Sequence, residues 1–246
     1  MEYKDLNKEN AHEKDAYVTF DEPTHTYYIN GNKVKYSVTQ KLHRFFPFDR
    51  DGISNNLSKK NKYNKDSKYY GMTADDIRAE WNKGADAGTY LHAEIETYYN
   101  TCGKTEPENF SIEYGYFKNF VEDHPELVPY RTEWIVYSLK YDISGSIDMV
   151  YLNKDGSLSI YDWKRSKRID KDNFKGEFCP PPLHIFQNCN FNKYSLQLNL
   201  YKWILENEYG FKVKDLCLVI LHDSNPNYQL EPVDDFQDYI KLVLNS

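Results

Sequence analysis

A chain of 246 residues with 40% hydrophobic content, 23 Tyr and 13 Phe buries one sizeable core, which excludes a disordered polypeptide. Its net charge of −7 excludes a protein that coats nucleic acid by bulk attraction, though not an enzyme that acts on it, because ligand carboxylates bring negative charge of their own. No apolar run approaches the ~20 residues needed to cross a bilayer, and the polar start MEYKDLNKENAHEKD is unlike a secretion signal, so a soluble intracellular product without membrane association is expected.

Residues 1–16 read as a flexible tail and 17–246 as a single domain. From Tyr17 to Phe46, aromatic and polar residues alternate around Asn30-Gly31, which predicts a hairpin. Ser37 or Thr39 then caps a short helix starting near Gln40, and His25 reads as a structural hydrogen-bonder. Residues 48–71 turn to Asn, Lys, Ser and Asp and predict a long loop or lid. Its basic part, Lys59–Lys68, suits either a phosphate-tracking patch or a solvated loop. Thr73 and Asp76 form a capping box with Asp in place of Glu, opening a helix that carries Ile77 and Trp81 and breaks near Gly84.

A second helix follows, with Leu91, Ile95 and Tyr99 as its buried stripe. His92 and Glu96 stand one turn apart beside that stripe, where they either reach a metal and its water or simply pair with each other. Residues 101–130 hold a polar loop and a helix through Tyr116, Phe117 and Phe120, left at Pro125 and Pro129. The segment 131–138 alternates as a strand and carries Glu133.

The central stretch, Ser144–Lys164, reads as two strands turning at Asn153–Gly156, with Asp155-Gly156 supplying positive φ angles. Asp148 lies on the first strand. On the second, Asp162 and Lys164 point to one face and Trp163 to the other. Carboxylates brought together repel and raise one another's pKa, and a hard divalent cation such as Mg2+ or Mn2+ is the natural neutraliser. An isolated Asp-x-Lys triplet is equally compatible with a surface ion pair.

Residues 165–194 are long, basic at first (Arg165, Lys167, Arg168) and then rich in Pro and aromatics, and they predict a substrate-facing flap. A helix follows, capped by Ser195 and ended by Gly210, with Gln197 and Tyr201 on one face. A buried strand over 213–223 and a last helix over 232–244 complete the chain. Cys102, Cys179, Cys189 and Cys217 lack C-x-x-C spacing, which argues against a zinc ribbon.

Taken in order, GTYLHAEIE, the strand residue Glu133, GSIDMVY, YDWK and QLNLY resemble the PD-(D/E)XK nuclease superfamily. Within it the chain is similar to the RecB-like, Cas4-like branch that includes mitochondrial genome maintenance exonuclease and phage and large-virus relatives. The resemblance spans roughly residues 85–205, and HTYYINGNKVKYSVT is similar to the phage and large-virus members.

The resemblance implies an α/β (α+β), restriction-endonuclease-like core over about 85–222: a mixed central β-sheet flanked by helices, with an N-terminal hairpin and helix added. It implies Mg2+ or Mn2+ held by His92, Asp148, Asp162 and the Trp163 carbonyl, Lys164 as the motif lysine, and Glu96 and Glu133 as further acidic positions. Gln197 and Tyr201 would touch the DNA strand. Arg165 stands where a threonine is common and would add a phosphate contact, with Lys167 and Arg168 nearby. The clustered carboxy-terminal cysteines of the iron–sulfur members are missing, so no iron–sulfur cluster is expected. The implied activity is a metal-dependent DNA exonuclease on single strands or ends, in replication, repair or recombination. The alternatives are a catalytically silent nucleic-acid-binding or recombination module and an RNA endonuclease of the cap-snatching type.

Overall fold

A computed structural model describes residues 5–246, which fold as a mixed α+β protein. The first part holds a short helix, α1 (Leu6–Glu9), a 3-10 turn (Glu13–Tyr17) and a three-stranded meander of β1 (Val18–Asp21), β2 (Thr26–Ile29) and β3 (Asn32–Lys33). The meander turns at Asn30-Gly31, where φ is 52° and 77°, a region these two residue types tolerate. β4 (Tyr36–Ser37) leads into α2 (Val38–His43). Ser37 is the cap: its hydroxyl accepts from the Gln40 N–H at 3.1 Å, and Gln40 Oε1 accepts from the Ser37 N–H at 3.0 Å.

Of the tail expected over 1–16, residues 1–4 lie outside the described residues, and 5–16 are tied to the domain. Leu6 is buried, the Asn7 and Asn10 amides donate to the carbonyls of Thr132 and Tyr130, and Asp15 pairs with buried Arg131 at 2.7 Å. Polar tails dock when a strand offers them unmet carbonyls and an arginine, and composition alone does not reveal that. Half of the expected 48–71 loop is likewise helical. α3 (Arg50–Asn61) is capped by Asp49, and its polar sequence hides it because it lacks an apolar stripe.

α4 (Ala74–Asn100) is one helix that runs unbroken through Gly84 and Gly88. A helical glycine costs about 1 kcal/mol relative to alanine. The Thr73–Asp76 capping box and the burial of Ile77, Leu91, Ile95 and Tyr99 outweigh that cost. α5 (Ile112–Asp123), capped by Ser111, buries Tyr114, Phe117 and Phe120.

The central sheet contains β4, β5 (Val128–Ser138), β6 (Ile143–Leu152), β7 (Leu158–Lys164), β8 (Val213–Ile220) and β9 (Gln229–Pro232); α6 (Asn190–Glu208) precedes β8 and α7 (Gln237–Leu244) ends the chain. β4 is parallel to β6 and β7 to β8, and the other pairs are antiparallel. Along β6, β5 takes one edge throughout. The other edge is divided, with β4 at Ile143–Ser144 and β7 from Met149 to Leu152, leaving Gly145–Asp148 between them.

In the β6–β7 turn only Gly156 has positive φ (81°), so Asp155 does not share that conformation. α6 starts five residues before the expected cap, and Ser195 is fully buried inside it. The chain from Arg165 to Cys189 is irregular but not a free flap, because Ile169, Cys179, Leu183 and Phe186 are buried in the core. One sheet face packs Val150, Ile160 and Leu218 against α2, α6 and α7; the other packs Met149, Trp163 and Val219 against α4 and α5. Among the described residues no helix is long and apolar enough to cross a membrane.

Candidate metal centre

The divided edge of β6 creates the site. β6 and β7 are paired only as far as Met149 and Tyr161. Beyond that point the Trp163 N–H donates to Asp148 Oδ2 at 2.9 Å, so a side chain takes the place of a ladder bond. On β5, Thr132 pairs with Met149 and Trp134 with Ile147, which sets Glu133 opposite Asp148. Glu133 has φ of 44°, a left-handed conformation that costs on the order of 1–3 kcal/mol for such a residue. Ser146 Oγ donates to Glu133 Oε2 at 2.9 Å and fixes the side chain.

α4 contributes His92, one residue along from buried Leu91. Its Nε2 lies 2.9 Å from the Trp163 carbonyl. A carbonyl only accepts, so Nε2 carries the hydrogen and Nδ1 faces the acids. Nδ1 is 3.6 Å from Glu133 Oε1 and 3.6 Å from Asp148 Oδ2. The ligand atoms of His92, Glu133 and Asp148 all lie within 4.8 Å of one another, a set that can hold a metal ion. The centre opens into a cavity of about 840 Å3 whose walls include Tyr27, Glu96, Lys164 and Arg165.

Burial, then the charges of Asp162 and Glu133, push Asp148 up to about 7. Burial works against a charge on His92, yet Asp148 and Glu133 outweigh it and raise the imidazole to about 9. Burial also opposes the Lys164 ammonium, but Asp162 and Asp148 hold its pKa above the ordinary lysine range. Lys164 Nζ sits 2.5 Å from Asp162 Oδ2 and 4.7 Å from the centroid of the Tyr194 ring. Lys164 is therefore a fixed cation at neutral pH and not a free base. Glu96, on the cavity wall, is raised by burial and by Glu133.

The expected residues divide into three groups. His92, Asp148 and Glu133 come together. Asp162, expected among the ligands, is not one of these three: it shares a sheet face with Asp148, whose carboxyl its charge helps to raise, and Lys164 holds its carboxylate at 2.5 Å. The Trp163 carbonyl reaches the centre but already accepts from His92.

The expected DNA contacts are mostly engaged elsewhere. Arg165 is 2.7 Å from Glu113 on α5, and Arg168 is 2.8 Å from Asp170, while Lys167 is exposed. Gln197 and Tyr201 are 8% and 3% exposed, beneath the site and not on an open groove. A Cβ on Gly145 would meet Tyr201 Oη at 2.9 Å, so the glycine is what lets that ring lie against β6. Tyr194 under Lys164, Ser146 behind Glu133 and Glu113 behind Arg165 went unpredicted. Of these, only Ser146 sits inside a recognisable motif, two residues before Asp148.

No protein-family model and no curated protein matches the chain. Among solved structures it is similar to the protein named SSO0001, at 16% identity and a TM-score of 0.35, over 85% of this chain and 72% of that one. It is also similar to a Eubacterium rectale protein named "Putative exonuclease", at 11% identity and a TM-score of 0.28, over 66% of this chain and 74% of that one. Likenesses this distant carry no argument about what the centre does.

Proposed function

We propose that the chain is a Mg2+- or Mn2+-dependent DNA nuclease of the PD-(D/E)XK kind, working as an exonuclease on single strands or ends. The observation that carries this reading is the set of His92, Glu133 and Asp148, with ligand atoms within 4.8 Å, next to the half-buried cation Lys164. Two carboxylates and an imidazole nitrogen suit a hard or borderline divalent ion. Burial first, and then the neighbouring Asp162 and Glu133 charges, press Asp148 upward, and a bound cation relieves both.

In this reading His92 offers Nδ1 while its Nε2 stays fixed by the Trp163 carbonyl, and Glu133 and Asp148 offer oxygens. A bound cation supplies Lewis-acid polarisation of the phosphodiester and an acidified water. Lys164, kept charged by Asp162, stabilises negative charge that grows on the phosphoryl oxygens. Glu96, above the ordinary carboxylate range, is the candidate to accept a proton from the attacking water. Ser146 and Asp162 act through their neighbours, positioning Glu133 and Lys164.

The test is digestion of single- and double-stranded DNA labelled at either end, and of RNA, with Mg2+, Mn2+ or EDTA. Cleavage that needs the metal and disappears in Asp148→Asn is expected. A protein that cuts neither DNA nor RNA under any of these conditions is not a nuclease.

A further inference from the structure

A second cavity, of about 480 Å3, opens between the chain that enters α3 and the segment 173–190. Phe48 lies on one wall and Phe174 on the other, 64% and 94% exposed. Phe48 touches Trp81 at 6.0 Å between ring centroids and Lys175 Nζ stands 5.7 Å from the Phe174 centroid, yet both rings keep most of their surface open at the mouth of one groove. Loop laxity does not account for this, because Asn173 locks the turn that displays Phe174. The Asn173 N–H donates to Gln187 Oε1 at 2.7 Å, and its side-chain amide donates to the Asn188 carbonyl at 2.7 Å. Asn173 Oδ1 accepts from the Lys175 and Glu177 N–H groups at 2.8 and 3.2 Å. Asn188 Nδ2 then reaches the Pro47 carbonyl at 3.3 Å and ties the two walls together.

The same groove holds Lys193, in the first turn of α6. Asp162 neutralises Lys164, and Lys175 leans toward Glu177 at 3.7 Å. Lys193 has no carboxylate within ion-pair distance among the described residues. Burial, and behind it the charge of Lys164, pushes Lys193 below the ordinary lysine value, so the groove lies within electrostatic reach of Lys164. His43, on the same wall as Phe46 and Pro47, is lowered by burial and by Lys193. A half-buried cation set near a second one and left without a counter-charge fits an anionic ligand.

We propose that this groove binds one unpaired nucleotide of a single-stranded nucleic acid, its base against Phe48 and Phe174 and its phosphate on Lys193. The inference deepens the nuclease reading and rests on it for the course of the strand past Lys164. Every base has a face that stacks on an aromatic ring, so such a groove is tolerant of sequence. A paired base is covered on both faces, so the groove selects single strands. The volume falls in the range of small-ligand sites, roughly 300–1,000 Å3.

The test is fluorescence anisotropy with the full chain in EDTA, using a labelled oligothymidylate and the matching duplex. Phe48→Ala and Phe174→Ala should each weaken single-strand binding about tenfold, a common cost of losing one stacked base. Lys193→Gln should weaken it and flatten its salt dependence by about one unit of slope. Phe174 is almost wholly exposed, so its replacement does not threaten folding. Unchanged single-strand affinity in all three variants overturns the groove, as does a wild-type protein that does not bind single strands. The nuclease reading is tested separately by wild-type hydrolysis of bis(p-nitrophenyl) phosphate in Mn2+. If that hydrolysis fails while the variants still lose binding, the groove stands and the nuclease reading falls.

Discussion

α4 and α6 pack on opposite faces of the same sheet, yet they are buried to very different degrees. α4 hides one stripe, Ile77, Leu91, Ile95 and Tyr99, whereas α6 is buried on every side from Ser195 to Leu205. Asn199 and Lys202 in that stretch are spent on structure as a result. Asn199 donates to the Asp234 carbonyl at 3.0 Å and accepts from the Phe236 N–H at 2.8 Å, and Lys202 pairs with Asp235 at 2.7 Å. On α4, His92 and Glu96 sit at the margin of the stripe and face a cavity. Full burial commits a polar side chain to holding the fold, and partial burial leaves it available for chemistry.

Four measurements would break or sharpen that contrast. The largest effect is expected at the centre itself: Asp148→Asn keeps an acceptor for the Trp163 N–H but removes the charge, so metal-dependent cleavage should fall about a thousandfold. Its melting temperature should hold or rise, because crowded carboxylates lose a repulsion. A melting temperature that collapses with the activity would mean that the centre is structural.

On α6 the expectation is reversed. Asn199→Leu leaves the Phe236 N–H and the Asp234 carbonyl unmet in the core and should cost about 2–4 kcal/mol in urea unfolding, with activity per folded molecule unchanged. Gly145→Ala, where α6 meets β6, sets a methyl 2.9 Å from Tyr201 Oη and 3.0 Å from its Cε1 and should cost about 1–3 kcal/mol. Adding Tyr201→Leu should recover part of that loss, and strict additivity would show that the two sites do not touch.

The smallest effect belongs to the cap of α4. Thr73 hydrogen bonds hold Asp76 below its ordinary value. A folded pKa below the unfolded one adds stability above the unfolded value and loses it as pH falls through the folded value. Wild-type and Asp76→Ala melting curves should therefore stay apart above about pH 4 and converge as the pH falls below it, through the folded value. Curves that stay equally far apart would remove the carboxylate from the capping box.

Much of this was legible in the chain because the signals are local. The Asn30-Gly31 turn, the Thr73–Asp76 box and the period-four stripe Leu91, Ile95, Tyr99 each lie within a few residues, and each formed as read. His92 and Asp148, the ligands that the resemblance implies, meet in space. Glu133 stood only among further acidic positions, since its left-handed φ is imposed by strand pairing and writes nothing into the sequence. Alternation puts Asp162 on one face with Lys164, and the fold brings the two within 2.5 Å. α3 escaped notice because neither its polar face nor its weak stripe marks a helix, and α6 began early because Asn190–Tyr194 carries no stop signal.

Among the described residues β5 pairs with β6 alone, so its other side is an open sheet edge. The Asn7 and Asn10 amides occupy the Thr132 and Tyr130 carbonyls there, and the Asp15–Arg131 pair fastens the cover. Exposed edges recruit strands from other molecules. Trimming the protein back to Tyr17 would thus uncover a template for self-association, and the shortened protein should aggregate at a lower concentration than the longer one in light scattering.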